Sequence, residues 1–267
     1  MINVSVLGYG TVGSGVFDII RENNAMIAKR IGDEICTKYV LDLRDFPGDP
    51  VEEVLVHDFE VIKNDPEVHV VVETMGGLHP AYEFVKASLE AGKSVCTSNK
   101  ALVADFGPEL IQIAKDHNVS FLFEASVGGG IPIIRPLQSS LNPDEILEIS
   151  GILNGTTNFI LTEMTNKGAD FDTVLKEAQQ LGYAEADPTA DIEGLDAGRK
   201  VAIMASIAFH SRVTFDDVYT EGITKITAKD VEYAEEFGDV IKLLGVAHNT
   251  EEGIEVAVHP MMIPKEH

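Results

Sequence analysis

Short apolar runs and amphipathic stretches alternate along the first half of the chain. INVSVL (Ile2 to Leu7) is an apolar run that ends at a glycine, and it reads as a buried strand. Val12, Val16, Ile19, Ile20 and Ile27 then recur at near-helical spacing. Ile35 to Leu43 reads as a second strand and VHVVVE (Val68 to Glu73) as a third. The continuous β-branched character of that third run predicts burial on both faces, as in a parallel sheet. Pro80 to Ala91 follows as a helix closed by Gly92. Ser94 to Thr97 is a strand, Gly107 to His117 a helix and Val119 to Phe123 a strand. This alternation predicts a doubly wound parallel sheet, a Rossmann-type α/β domain, over residues 1–125.

The rhythm changes after Ser126. GGGIP interrupts the chain at Gly128 to Pro132. Helices are expected at Thr157 to Asn166 and Asp172 to Leu181, the second ending at Gly182 before the polar loop YAEADPTADIEG. The apolar VAIMASIAF (Val201 to Phe209) predicts a buried helix, and Val240 to Ala247 and Gly253 to His259 predict two late strands. Residues 126–267 therefore read as a second, α+β domain, with no internal repeat and no long linker.

Composition narrows the function classes. A formal net charge of −24 repels phosphate backbones and argues against a nucleic-acid partner. The acids are spread along the chain and suit a solvated surface. No apolar run reaches the roughly 20 residues of a bilayer span, and MINVSVLGYG lacks the basic start of a secretory signal. The two cysteines, Cys36 and Cys96, have neither metal nor redox spacing. Two reduced, buried thiols in a cytoplasmic protein are expected.

Three stretches carry candidate chemistry. Gly8, Tyr9, Gly10, Thr11, Val12 and Gly13 fit G-x-G-x-x-G between a strand and a helix. In that setting the first glycine allows the tight turn and the second lets pyrophosphate approach the backbone. The third lets helix and strand pack closely, and the helix N-terminus offers amide donors. At the end of the second strand an acid favours NAD and an arginine NADP. Asp42, Arg44 and Asp45 supply both kinds, which leaves the preference open with a slight lean to NADP. Lys100 closes the Ser94 strand segment, where carboxyl ends of strands meet a ligand crevice; it is a functional lysine or a helix-start surface lysine.

The third stretch is DIEGLDAGRK (Asp191 to Lys200), which runs directly into the buried helix. Asp196 and Lys200 are four apart and share a face if helical. Such a pair is an ordinary surface pair or a proton-exchanging lysine held beside acids.

Longer motifs settle the choice by resemblance. AQQLGYAEADPTADIEGLDAGRK (Ala178 to Lys200), VVETMGG (Val71 to Gly77), TSNKALVA (Thr97 to Ala104), EASVGGGIPII (Glu124 to Ile134) and NGTTNFI (Asn154 to Ile160) occur in the order found in homoserine dehydrogenases. The chain resembles that family over nearly its whole length. The long motif is highly specific, and the glycine loop alone is not.

The resemblance implies an NAD(P)-dependent oxidoreductase that interconverts L-aspartate 4-semialdehyde and L-homoserine, a step toward threonine and methionine. It implies Lys200 as proton donor with Lys100 assisting, and Glu185, Asp191, Asp196 and Gly182 around the substrate. Cofactor contacts fall on the glycine loop, Arg44, Thr74 and Lys100. Glu124, Val127, Gly129 and Ile131 match a monovalent-cation site, normally sodium, built mainly from backbone carbonyls. A homodimer through the second domain is implied. Family members normally continue past the point where HPMMIPKEH ends here, with a helix and strand returning to the nucleotide region, and many add a regulatory domain.

Overall fold

The computed structural model describes all 267 residues. They form two compact units, Met1–Ile133 and Ile134–His267. The division falls after Ile133 rather than after residue 125. The Glu124 carboxylate accepts the Ile133 amide at 2.6 Å and ties the GGGIP loop back to the first unit.

The first unit runs β1 (Ile2–Leu7), α1 (Thr11–Glu22), α2 (Asn24–Ile31), β2 (Ile35–Leu41), β3 (Leu55–Val56), α3 (Phe59–Asn64), β4 (Val68–Glu73), α4 (Ala81–Glu90), β5 (Ser94–Thr97), α5 (Lys100–Asp116) and β6 (Phe121–Leu122). Its six strands lie in the order β3-β2-β1-β4-β5-β6, and all neighbours are parallel. This is the doubly wound order. The chain leaves β1 toward one edge and returns to β4 on its other side, so the carboxyl ends of β1 and β4 flank the switch point where such sheets take ligands. Val4, Ser5, Val6 and Leu7 are all buried, because both faces of the central strand are covered. Helix α1 buries Gly13, Phe17 and Ile20; of the apolar positions expected to form its stripe only Ile20 is buried, while Val12 and Ile19 are exposed.

Several boundaries differ from the sequence reading. The helical pattern after the glycine loop is two helices, parted at Asn23. Strand β2 ends at Leu41, which places Asp42 in the loop beyond it. Helix α5 begins at Lys100, not Gly107, since the Asn99 side chain accepts the Leu102 amide at 3.1 Å and caps it there. Pro108 lies inside that helix, and Gly107-Pro108 mimics a helix start. Cys36 and Cys96 are free and only half-buried.

The second unit contains β7 (Glu148–Gly151), α6 (Gly155–Lys167), α7 (Phe171–Gln180), α8 (Thr189–Ile192), α9 (Leu195–Ala208), β8 (Tyr219–Thr220), α10 (Ala228–Glu236), β9 (Asp239–Thr250) and β10 (Gly253–Pro264). Its sheet has the order β7-β9-β10-β8. Strand β9 is antiparallel to β7 and β10, while β8 joins β10 in parallel. Ile160, Leu161 and Met164 of α6 and Val201, Ala202 and Ala205 of α9 form one core with Leu243, Ala247 and Val258 of the sheet. The apolar run after DIEGLDAGRK is therefore the buried body of α9, and its first turns carry the charged residues. No helix is long and apolar enough to cross a membrane.

Candidate active site

The glycine loop stands at the switch point of the first sheet. Gly8 has φ +94°, and a Cβ on Gly13 would lie 1.9 Å from the Gly8 carbonyl oxygen, so helix and strand meet only if residue 13 is glycine. Gly10 differs. A Cβ there would meet no protein atom within 4 Å. The fold does not require that glycine; a ligand lying on the backbone would. Helix α1 has no side-chain cap at Gly10, so the amides of its first turn face outward without a side-chain acceptor. Thr74 fastens the end of β4 to the loop, its hydroxyl donating to the Leu7 and Gly8 carbonyls at 3.0 Å each. Tyr9 contributes backbone, since its ring packs edge-on to Phe17 and Phe46. Its hydroxyl donates to Asp49 at 3.0 Å, and burial and that acid push its pKa up to about 12.

A cleft of about 510 Å³ opens beside this loop, lined by Gly8, Gly10, Asp42, Arg44, His57 and Thr74 among others. Arg44 grips Asp42 with two parallel bonds, Nε to Oδ1 and Nη2 to Oδ2, both 3.0 Å. The Arg44 guanidinium holds the Asp42 carboxyl well below the usual carboxylate range, against the opposing effect of burial.

Lys100 is placed by a chain of bonds that starts at a buried acid. Glu73 is fully buried at the end of β4. Its Oε1 accepts the Met75 amide at 2.8 Å and the Gly76 amide at 3.3 Å, and its Oε2 accepts the Thr97 hydroxyl at 2.6 Å. Thr97 Oγ1 in turn accepts the Asn99 amide at 2.9 Å, and the Asn99 side chain donates to the Gly77 carbonyl at 2.6 Å. Asn99 caps α5, whose first residue is Lys100.

In the second unit the structure brings Asp191, Asp196 and Lys200 together. Lys200 Nζ lies 2.7 Å from Asp196 Oδ2 and donates to the Leu153 carbonyl at 2.9 Å. The Asn154 amide donates to Asp191 at 2.7 Å and to Asp196 at 3.0 Å. The Asn154 side-chain oxygen Oδ1 accepts the Thr157 amide at 2.8 Å and caps α6. Asp196 is buried and Lys200 only 17% exposed, so the pair is nearly enclosed. Gly182 has φ +79° and closes α7. Glu185 lies on the exposed loop after it, outside the network; its carbonyl accepts from Gln179.

Glu124, Val127, Gly129 and Ile131 lie along one tight loop. Gly129 has φ +58°, the Ile131 amide donates to Gly128 at 2.9 Å, and a Cβ on Gly128 would lie 2.2 Å from the Ile131 carbonyl. One carboxylate with a tight turn of carbonyls is an oxygen donor set that suits a hard cation. No group of three or more His, Cys, Asp or Glu side chains converges as a metal site, so a cation would depend on backbone oxygens.

Sequence reasoning missed Asn154 and Glu73 as site-building residues. Both stand inside motifs that carried the resemblance, but their partners are spatial: Asn154 bonds acids 37 and 42 residues away.

An open parallel sheet with a glycine loop at its switch point is a Rossmann-type dinucleotide-binding unit, here joined to an α+β unit with an enclosed lysine–carboxylate pair. Two family models cover the chain: "Homoserine dehydrogenase, NAD binding domain" over residues 8–124 and "Homoserine dehydrogenase" over residues 132–267. The chain belongs to the homoserine dehydrogenase family. It is 47% identical to the homoserine dehydrogenase of Synechocystis sp., with 100% of this chain and 63% of that protein aligned. It is 43% identical to that of Bacillus subtilis, over 100% of this chain and 62% of the relative. The crystal structure of a homoserine dehydrogenase from Thiobacillus denitrificans matches with a TM-score of 0.93 at 48% identity, covering 100% of this chain and 62% of that one. A hyperthermophilic archaeal homoserine dehydrogenase solved in complex with NADPH matches at 0.83 and 26% identity, with 83% of that chain covered. The chain thus spans just over three fifths of the length of the curated relatives it matches.

Proposed function

We propose that the protein interconverts L-homoserine and L-aspartate 4-semialdehyde with a nicotinamide dinucleotide, on the route to threonine and methionine. The observation that carries this reading is the enclosed Lys200–Asp196 pair with its Asn154 bridge, in a chain of this family. An ammonium group has three donors. Two of Lys200's are directed to Leu153 and Asp196, which leaves one for a substrate oxygen. In the reducing direction the aldehyde oxygen gains negative charge as its carbon is reduced. Lys200 stabilises that charge and delivers the proton; in the oxidising direction it takes the hydroxyl proton back. Glu185 and Asp196 would hold the substrate amino and hydroxyl groups, with Asp191 supporting them.

The glycine loop, Thr74 and Arg44 would hold the dinucleotide, with Lys100 at its reactive end. The bare backbone at Gly10 fits such a ligand. When bound, the nicotinamide supplies or accepts the hydride. Glu124 with the Val127, Gly129 and Ile131 carbonyls would hold a monovalent cation of the sodium type through oxygen donors alone. The same reading carries a homodimer through the second unit and a cytoplasmic location. Formation of reduced nicotinamide on adding L-homoserine tests it. Turnover of L-homoserine supports the reading; turnover of another amino alcohol in its place refutes it.

A further inference from the structure

Glu73, Thr97 and Asn99 close a ring of hydrogen bonds across the carboxyl ends of β4 and β5. Glu73 is the last residue of β4 and pairs with Leu7 on one side and Thr97 on the other. Its Oε2 takes the Thr97 hydroxyl, Thr97 Oγ1 takes the Asn99 amide, and the Asn99 side chain donates to the Gly77 carbonyl. The ring returns to Glu73 through the Met75 and Gly76 amides, both on Oε1. Gly76 and Gly77 have φ +75° and +71°, a left-handed turn that other residues adopt only with strain. Glu73, Thr97 and Asn99 are all buried, Glu73 completely. A buried carboxylate is costly unless donors meet it, and here three do. Together they lock the turn after β4 against the start of α5, whose first residue is Lys100.

We infer that Glu73 is a positioning residue that acts through Lys100, holding that lysine and the turn at residues 75–77 in one rigid frame. The inference rests on the reading of Lys100 as a residue of the reactive end. The ring needs an acceptor on both oxygens of residue 73. The Thr97 hydroxyl has one proton, and giving it to Glu73 leaves the Thr97 oxygen free to accept Asn99. Glutamine has one oxygen and one NH2 group. With its NH2 toward Thr97, the hydroxyl proton loses its acceptor. With its NH2 toward the turn, donor meets donor at Met75 and Gly76. Either way one link opens, and the start of α5 is released from the turn.

A two-by-two cycle of Glu73→Gln and Lys100→Ala, read by steady-state kinetics with L-homoserine, tests this. Glu73→Gln should lower kcat by about ten- to a hundredfold, the scale of a misplacement of about 1 Å. In Lys100→Ala, itself slow, Glu73→Gln should cost nothing further. Thr97→Val breaks the same ring with a side chain of nearly the same shape and takes its place in the cycle if Glu73→Gln does not fold. Thr97→Ser keeps the hydroxyl and should keep wild-type kcat. Amide hydrogen exchange, read without turnover, should quicken in Glu73→Gln at residues 75–77 and 100–103 together. Quickening at one segment alone, wild-type kcat in Glu73→Gln, or the same loss with and without Lys100 overturns the inference and leaves the reading of Lys100 standing. Wild-type kcat in Lys100→Ala overturns both.

Discussion

Lys200 Nζ lies 2.7 Å from Asp196 Oδ2, one helical turn back on α9, and both side chains are largely enclosed. An enclosed ion pair is costly to strand, so removing one partner harms the other. The pair persists because the surroundings complete it: Leu153 takes a second lysine proton and Asn154 donates to the acid.

Asn154 is expected to be as sensitive as the charged residues. Asn154→Ala removes the α6 cap and a donor to two carboxylates, which lowers stability by roughly 1–3 kcal/mol. Asn154→Asp restores the cap but puts a third carboxylate beside Asp191 and Asp196. That variant should fold, turn over about tenfold or more slowly, and show its acid limb at higher pH, because crowded carboxylates retain a proton. An unmoved pH–rate profile in Asn154→Asp would limit Asn154 to capping.

Two glycines of one loop should fail in different ways. Gly13→Ala forces a Cβ against the Gly8 carbonyl and is expected to lower stability by about 2–3 kcal/mol, seen as a fall in Tm. Gly10→Val meets no protein atom at its Cβ, so Tm should hold while dinucleotide affinity falls. Equal dinucleotide affinity in Gly10→Val and wild type would remove the pyrophosphate from that loop.

The strands that a ligand site needs were legible in the sequence, because INVSVL, VHVVVE and SVCT are continuous runs buried in a parallel sheet. The strands β3 and β8 were not: two residues carry no period. The chemistry was legible as residue types. Asp42 and Arg44 were visible as an acid and a base after β2, but their ties to the Tyr9 backbone, across 33 and 35 positions, exist only in the fold. Asn154 and Glu73 stayed silent for the same reason. A polar residue inside a motif shows its role only when its partners fold against it.

Acid should loosen the tie between β2 and the turn that precedes β4. Asp65 accepts from Lys38 and Tyr39, and its pKa is lowered from 3.8 to about 2, chiefly by Lys38. A depressed folded pKa gives stability that is present above the unfolded value and lost as pH falls through the folded one. Tm should therefore fall between about pH 4 and pH 2, and Asp65→Asn should fall less steeply over that window. Parallel Tm–pH curves for the two proteins would remove Asp65 from the effect.

Glu124→Gln keeps an acceptor for the Ile133 amide and removes the charge from the proposed cation loop. Activation by sodium or potassium should weaken while the fold persists. An unchanged salt response of initial rate would refute the site.

The most direct test of the mechanism is kcat for homoserine oxidation in Lys200→Ala, measured beside its dinucleotide affinity and Tm. A proton-exchanging lysine predicts a fall of roughly 10²–10⁴ in kcat. Dinucleotide affinity should be nearly unchanged, because the glycine loop belongs to the other unit. Lys200→Arg should stay slow, since a guanidinium keeps its proton at working pH. Near-normal kcat in a folded Lys200→Ala would contradict the account.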